Sequence, residues 1–162
     1  MATNSISTSS QSSQTARALS SPNWNERASA RPIVTLGGRL LFSAMFIMAG
    51  FLHFSQAEIG YAAQSGVPAA GLLVPASGIL ALAGGLSILL GYRAKIGAWL
   101  IVVFLVPVTL MMHNFWSVKD PMMAQMQMAM FLKNVTMLGG ALLISQFGAG
   151  PLSLDARRNS VR

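Results

Sequence analysis

The sequence contains no cysteine and only four acidic residues among 162. Without cysteine the chain has no disulfide, no thiolate ligand for zinc or an iron–sulfur cluster, and no thiol nucleophile. Scarce carboxylates also argue against a zinc or di-iron site, because such sites in helical bundles need inward-facing acids. Redox chemistry would therefore have to use a bound cofactor or a partner protein.

Charge of both signs is scarce, since charged residues make up 9% of the chain and hydrophobic residues 53%. Ordinary globular proteins are about 25% charged, so this composition predicts a protein embedded in a lipid bilayer. The net charge is +7, but the basic residues mostly lie outside the apolar segments and are not interleaved with aromatics. That pattern excludes a nucleic-acid-binding protein and is typical of the loops of membrane proteins.

Four apolar segments are about the length of membrane-spanning helices, at residues 32–54, 70–90, 96–112 and 125–147. They predict an all-α integral membrane four-helix bundle with up-down topology, residues 31–155. Residues 1–30 are rich in serine and predict a disordered tail, with an organellar targeting segment as the alternative, and residues 156–162 form a basic tail. His53 and His113 end the first and third segments, and Gly-Gly pairs lie in the second and fourth. This weak internal repeat suggests two tandem helical hairpins.

Basic residues also predict the orientation of the bundle. Only Lys119 lies in the first or third connection, whereas the N-terminal segment, the second connection and the C-terminal tail contain Arg17, Arg27, Arg31, Arg93, Lys95, Arg157, Arg158 and Arg162. Because basic loops stay in the cytoplasm, we expect a multi-pass protein of the cell inner membrane with both termini cytoplasmic.

The main chemical clue is a set of polar residues, called the polar group below, near one end of the predicted bundle. His113 and Asn114 follow the third segment, and Lys133 and Asn134 lie about two turns into the fourth. A lysine at the centre of a membrane helix costs about 2.5–3.5 kcal/mol. The topology also brings His53 and Glu58 to this end.

Three interpretations of this group stay open. Histidine exchanges protons near neutral pH and lysine stabilises developing negative charge, so the group could bind a quinone head group with its tail in lipid. Alternatively, the residues lie at the membrane surface and bond to headgroups, water and each other. His53 and His113 could also be the axial ligands of a haem. The sequence implies no metal site.

Three charged residues are expected to act as structural anchors: Arg39, Glu58 and Asp155. For Arg39, near the start of the first segment, two alternatives stay open. Its side chain could extend to the membrane surface as an anchor, or it could be the buried partner of a carboxylate or a ligand.

The sequence also resembles the DoxX family of small four-helix membrane proteins across residues 31–155. The features that carry the resemblance are Gly38-Arg39, Gly50 with His53, Gly66-Val67-Pro68, Gly84-Gly85, His113-x-Phe115, Phe131-x-Lys133-Asn134, Leu138-Gly139-Gly140 and Gly150-x-x-Ser153-x-Asp155. His53 departs from the family pattern, in which many members are expected to have lysine.

The resemblance implies a membrane subunit of a quinone-linked redox or oxidative-stress complex, similar to the DoxD-type subunit of a thiosulfate:quinone oxidoreductase. Related complexes include a sulfurtransferase and a superoxide dismutase, so a soluble redox partner is implied. The alternative is a non-catalytic scaffold or small-molecule conduit. Whether the chain is catalytic alone and whether it forms a homo-oligomer stay open.

Overall fold

The computed structural model describes residues 24–160, with side chains over residues 32–158, and this part of the chain is helical without strands. Six α-helices and one 3-10 turn follow in the order α1 (Trp24–Leu52), α2 (Gln56–Gln64), α3 (Ala70–Leu90), α4 (Ala94–Met112), the 3-10 turn (Phe115–Ser117), α5 (Pro121–Phe147) and α6 (Leu154–Ser160). The predicted all-α fold is confirmed.

Four of these helices are long and apolar enough to cross a membrane: Pro32–Leu52, Ala70–Leu90, Ala94–Ser117 and Pro121–Phe147. Their outward side chains are also apolar, and Leu41, Leu72 and Leu143 are 80%, 70% and 61% exposed. So much exposed apolar surface fits lipid rather than water. The protein is a multi-pass membrane protein.

The helix boundaries differ from the predicted ones where a capping residue lies outside the apolar run. α5 begins at Pro121 because the Asp120 carboxylate accepts the Met123 N–H at 2.8 Å, as an N-cap does. Ser55 caps α2 in the same way, so the connection between the first two spanning helices contains a short helix. Pro32 lies inside α1 rather than at its start. The predicted disordered tail, residues 1–30, lies outside the described residues except for a helical backbone from residue 24.

The spanning helices alternate in direction, and each packs on the next, α1 on α3, α3 on α4 and α4 on α5. Phe46, Ala81, Ile88, Ile101 and Leu105 form the centre of the core, each at most 2% exposed. The turn 91–93 and residues 148–160 lie together at one end, which we call the basic end. α2 and the 3-10 turn lie at the opposite end, which we call the cavity end.

Pairs of glycines let neighbouring helices approach at two crossings. A Cβ on Gly78 of α3 would lie 2.9 Å from the Gly50 carbonyl oxygen of α1 and 2.8 Å from the His53 Cβ. A Cβ on Gly84 would lie 2.9 Å from the Gly97 carbonyl oxygen of α4. In lipid, where apolar surface gives no hydrophobic drive between helices, such close backbone contact is a main source of packing energy.

At the basic end, the Arg39 side chain of α1 hydrogen-bonds to the end of α3 and to residues beyond α5. Its Nε donates to the Ile88 carbonyl at 3.0 Å and its Nη2 to that of Leu89, both at the end of α3. Its Nη1 donates to the carbonyls of Ala149 at 3.0 Å and Leu152 at 2.7 Å, beyond α5. The side chain is only 5% exposed. Arg39 is therefore buried, and main-chain carbonyls of two other segments accept its N–H groups.

Asp155 is an anchor at the same end. Its Oδ1 accepts the Arg93 N–H at 2.8 Å and its Oδ2 the Ala94 N–H at 3.1 Å. The N-cap residue of α4, Arg93, supplies no side-chain cap of its own. The tail carboxylate therefore caps a helix that begins 61 residues earlier. Its negative charge also interacts favourably with the positive end of that helix dipole.

Replacing Gly78 with alanine should destabilise the bundle by about 1–3 kcal/mol, because the backbone of α1 cannot yield to the added methyl group. Thermal unfolding in mild detergent, followed by circular dichroism, measures the loss. The matched control is Gly139→Ala, since a Cβ there meets nothing within 4 Å and alanine favours the helix. Equal midpoints for the two variants would contradict this account of the crossing.

Candidate functional site

A cavity of about 400 Å³ lies between α1, α3, α4 and α5 on the side of the cavity end, with α2 contributing to its wall. Most of its lining is apolar, including Phe46, Val74, Leu105 and Met137. Its titratable and amide side chains are few: His53, Glu58, Tyr61, His113, Lys133 and Asn134. A largely apolar cavity with a few convergent polar groups is the usual form of a small-molecule site.

The cavity is lined by α1 and α5, the two neighbouring spanning helices that pack least on each other among the described residues. α1 and α5 do not pack along their length as the other neighbouring pairs do. They approach where Phe42 lies over Gly140, toward the basic end. Farther along, Met45 and Ala49 of α1 and Met137 of α5 line the cavity. The loosely packed helices α1 and α5 therefore both border the cavity.

Lys133 and Asn134 lie deeper than predicted because α5 begins before residue 125. Asn134 is the midpoint of α5, about 20 Å along the axis from Pro121 at 1.5 Å per residue. Its side chain is only 5% exposed, and no side chain or main-chain group among the described residues hydrogen-bonds to its amide. Lys133 beside it is exposed and also lines the cavity. Among the described residues, the fully buried side-chain atom without a partner is the Ser43 Oγ, so the unpartnered amide of Asn134 keeps a little accessible surface, and Asn134 lines the cavity.

His53 reaches the cavity from the end of α1. Its Nδ1 lies 2.6 Å from the Ala49 carbonyl oxygen, and its ring packs edge-on against Phe104 with centroids 5.4 Å apart. A carbonyl oxygen can only accept, so Nδ1 carries the proton. The neutral ring then has Nε2 as an acceptor.

His113 is held by Gln127, and Gln127 is held in turn by Tyr61; neither Gln127 nor Tyr61 is among the predicted site residues. Its Nδ1 lies 2.8 Å from the Oε1 atom of Gln127 on α5, and the Gln127 Nε2 donates to the Tyr61 hydroxyl of α2 at 3.0 Å. Glutamine is uncommon within an apolar span, and Gln127 lies in the Met-rich start of α5. That polar residue was the available signal, although only the fold shows that it faces His113.

The predicted site residues are thus only partly brought together. His53, His113, Lys133 and Asn134 line one cavity, and Glu58 joins them from α2. Asn114 does not line the cavity; its carbonyl accepts the Ser117 hydroxyl in the 3-10 turn at 2.9 Å. Among the described residues, no three His, Asp or Glu side chains cluster so as to hold a metal ion. The haem interpretation stays a hypothesis.

Comparison with known proteins matches the sequence to the SURF4 family over residues 5–160. The chain is also similar to the inner membrane protein YphA of Escherichia coli (strain K12), with 27% identity over 130 residues, covering 79% of this chain and 92% of YphA. No solved structure matches the chain.

The family match shows that the DoxX assignment was wrong. The features behind it have general physical causes in small helical membrane proteins. Gly50, Gly84 and Gly140 lie where helices approach closely, and small residues at such crossings recur in unrelated membrane bundles. Similar patterns can therefore arise without common membership of a family.

Replacing Asn134 with leucine should raise the stability of the ligand-free protein by about 1–3 kcal/mol, because it removes a buried amide that has no partner. Thermal unfolding of delipidated protein in detergent measures the gain. Thr109→Val is the control, since the Thr109 hydroxyl donates to the Leu105 carbonyl at 2.6 Å and its removal should bring no gain. A destabilised Asn134→Leu protein would mean that the amide is satisfied within the fold.

Proposed function

The chain belongs to the SURF4 family, and we propose that this member is an inner membrane protein that binds a quinone within the bundle as the membrane subunit of a redox complex. The location is supported by the similarity to YphA, which is an inner membrane protein. The binding role is supported by the polar side chains placed in an apolar cavity at membrane depth.

The single observation that carries the proposal is the unpartnered amide of Asn134. It is buried, lines the cavity and lies at the midpoint of a spanning helix. Leaving such a group without a hydrogen bond costs about 1–3 kcal/mol, and a bound molecule with a polar head would remove that cost. An amide both donates and accepts, so it suits the oxygen atoms of a quinone or a quinol.

The rest of the cavity suits the remaining parts of such a molecule. Lys133 offers a cationic donor to an oxygen that gains negative charge on reduction, and His53 and His113 offer groups that exchange protons. We place the apolar tail between α1 and α5, the loosely packed pair of helices that borders the cavity. Reduction of a quinone to a quinol takes two electrons and two protons. Because the chain has no cysteine, we assign the electrons to a redox centre on a soluble partner protein.

A quinone-binding assay tests the proposal directly. Protein purified from its native membranes should retain quinone near one molecule per chain in an organic extract, and a short-chain benzoquinone should bind after delipidation. Asn134→Leu and Lys133→Met should each weaken that binding by about tenfold, since each removes a hydrogen bond in an apolar site. Asn114→Ala is the matched control, because Asn114 lies outside the cavity, and its binding should equal that of the parent protein.

An empty extract and no binding by the delipidated protein would overturn the proposal. Equal weakening by Asn114→Ala would mean that the variants act through folding rather than through the cavity. Uptake of a small molecule by vesicles that contain this chain alone, without quinone binding, would favour the conduit that is the second candidate. That candidate is supported by Glu58, whose carboxylate lines the cavity from the membrane surface and accepts no hydrogen bond from the described residues.

We also propose that the basic end faces the cytoplasm, so both termini lie on that side. Arg93, Lys95, Arg157 and Arg158 lie at this end, whereas Lys119 is the one basic residue in the connections at the cavity end. Basic residues are retained on the cytoplasmic side of membrane proteins.

Cysteine labelling tests the orientation, because the chain has no native cysteine. Lys119→Cys should react with a membrane-impermeant maleimide added to cells whose outer barrier has been opened. Lys95→Cys, which is also exposed, should react only after the inner membrane is permeabilised. The opposite pattern would show that the basic end faces outward.

A further inference from the structure

Each histidine of the cavity has an oxygen atom next to its Nδ1, and the orientation of the Gln127 amide in this structure gives both rings the same tautomer. The Ala49 carbonyl holds the His53 Nδ1–H at 2.6 Å, and the Gln127 Oε1 holds the His113 Nδ1–H at 2.8 Å. In a neutral imidazole one nitrogen donates and the other accepts. Both rings therefore have Nε2 as the nitrogen that remains for a ligand, and in both it is an acceptor.

A cavity with two histidine acceptors distinguishes the two redox forms of a quinone. A quinone carbonyl has no hydrogen to donate, so it would place an acceptor opposite each Nε2 lone pair. A quinol hydroxyl can donate to an Nε2 and still accept from the Lys133 ammonium or the Asn134 amide. Acceptors that face each other in an apolar site lose the hydrogen bond and keep the desolvation cost.

We infer that the cavity binds the dihydroxy, reduced form of its ligand in preference to the quinone. This inference rests on the proposed function, and it names the redox form that the site takes. His53 and His113 act as hydrogen-bond acceptors for the ligand hydroxyls.

Gln127 is the positioning residue for this preference. It does not line the cavity itself, but its Oε1 fixes the proton of His113 on Nδ1. Its Nε2 donates to the Tyr61 hydroxyl at 3.0 Å, so the same side chain joins α5 to α2 at the cavity end. Replacing Gln127 with leucine should free the His113 ring to exchange between its two tautomers and to present an Nε2–H to the cavity.

Nitrogen NMR tests the tautomers without any ligand. Full-length protein labelled with ¹⁵N-histidine, in detergent at about pH 8 where imidazole is neutral, should show the Nδ1–H tautomer for both rings. His113→Gln and His53→Gln variants assign the signals. In Gln127→Leu the His113 signals should move toward a mixture of tautomers, while Gln125→Leu, at an exposed position on the same helix, should leave them unchanged. An Nε2–H tautomer for His113 in the parent protein would overturn the inference.

Binding of the quinone and of the quinol tests the inferred preference for the reduced form. A short-chain benzoquinol, kept reduced under argon, should bind the parent protein at least about fivefold more tightly than the corresponding quinone, as one hydrogen bond gained or lost implies. Gln127→Leu should reduce that ratio severalfold, and Gln125→Leu should retain it. Equal affinity for the two forms would overturn this inference alone. Binding of neither form would overturn the proposed function together with it, while the NMR result on the tautomers would still stand.

Discussion

The arrangement of the bundle depends on one buried guanidinium. Arg39 donates to four carbonyls, at the end of α3 and beyond the end of α5, from its position on α1. Removing this charge from water carries a large penalty, which the charge-assisted hydrogen bonds offset. The carbonyls at helix ends otherwise lack partners, so the same hydrogen bonds satisfy both the guanidinium donors and the carbonyl acceptors. Asp155 adds a second bond between the tail and the turn 91–93. The basic end is therefore held closed by polar contacts from three parts of the chain.

The opposite half of the bundle is free to hold a cavity because its closing contact is missing. α1, α3 and α4 are joined by glycine crossings at Gly50–Gly78 and Gly84–Gly97, which fix three helices against each other at close range. α5 packs on α4, but its approach to α1 is confined to the region of Gly140. Among the described residues, α1 and α5 are therefore the most loosely packed pair of neighbouring spanning helices. The cavity lies there, and the polar residues of α5 line it.

Hydropathy was sufficient to predict the four spans and their alternation, because in lipid every backbone polar group must be paired within a helix. It also placed His53, His113 and Lys133 at one end, since alternating helices of similar length bring such positions together. Rotation about each helix axis could not be predicted, and it decides which side chains meet. Asn114 lies at the start of the 3-10 turn and does not line the cavity, whereas Gln127 faces His113. The contacts of Arg39 were also missed, because its carbonyl partners carry no signature in the sequence.

The depth of Asn134 separates two explanations of the polar group. Residues at a membrane surface bond to headgroups and water, and that account suits Asn114, which lies in the connection between α4 and α5. Asn134 is about 20 Å along α5 from its first residue, within a hydrocarbon layer about 30 Å thick. Headgroups do not reach that depth, and the amide has no partner among the described residues. A buried amide kept there at a cost in stability, beside Lys133 and in a largely apolar cavity, is what we expect of a site for a lipid-soluble ligand rather than of a purely structural role.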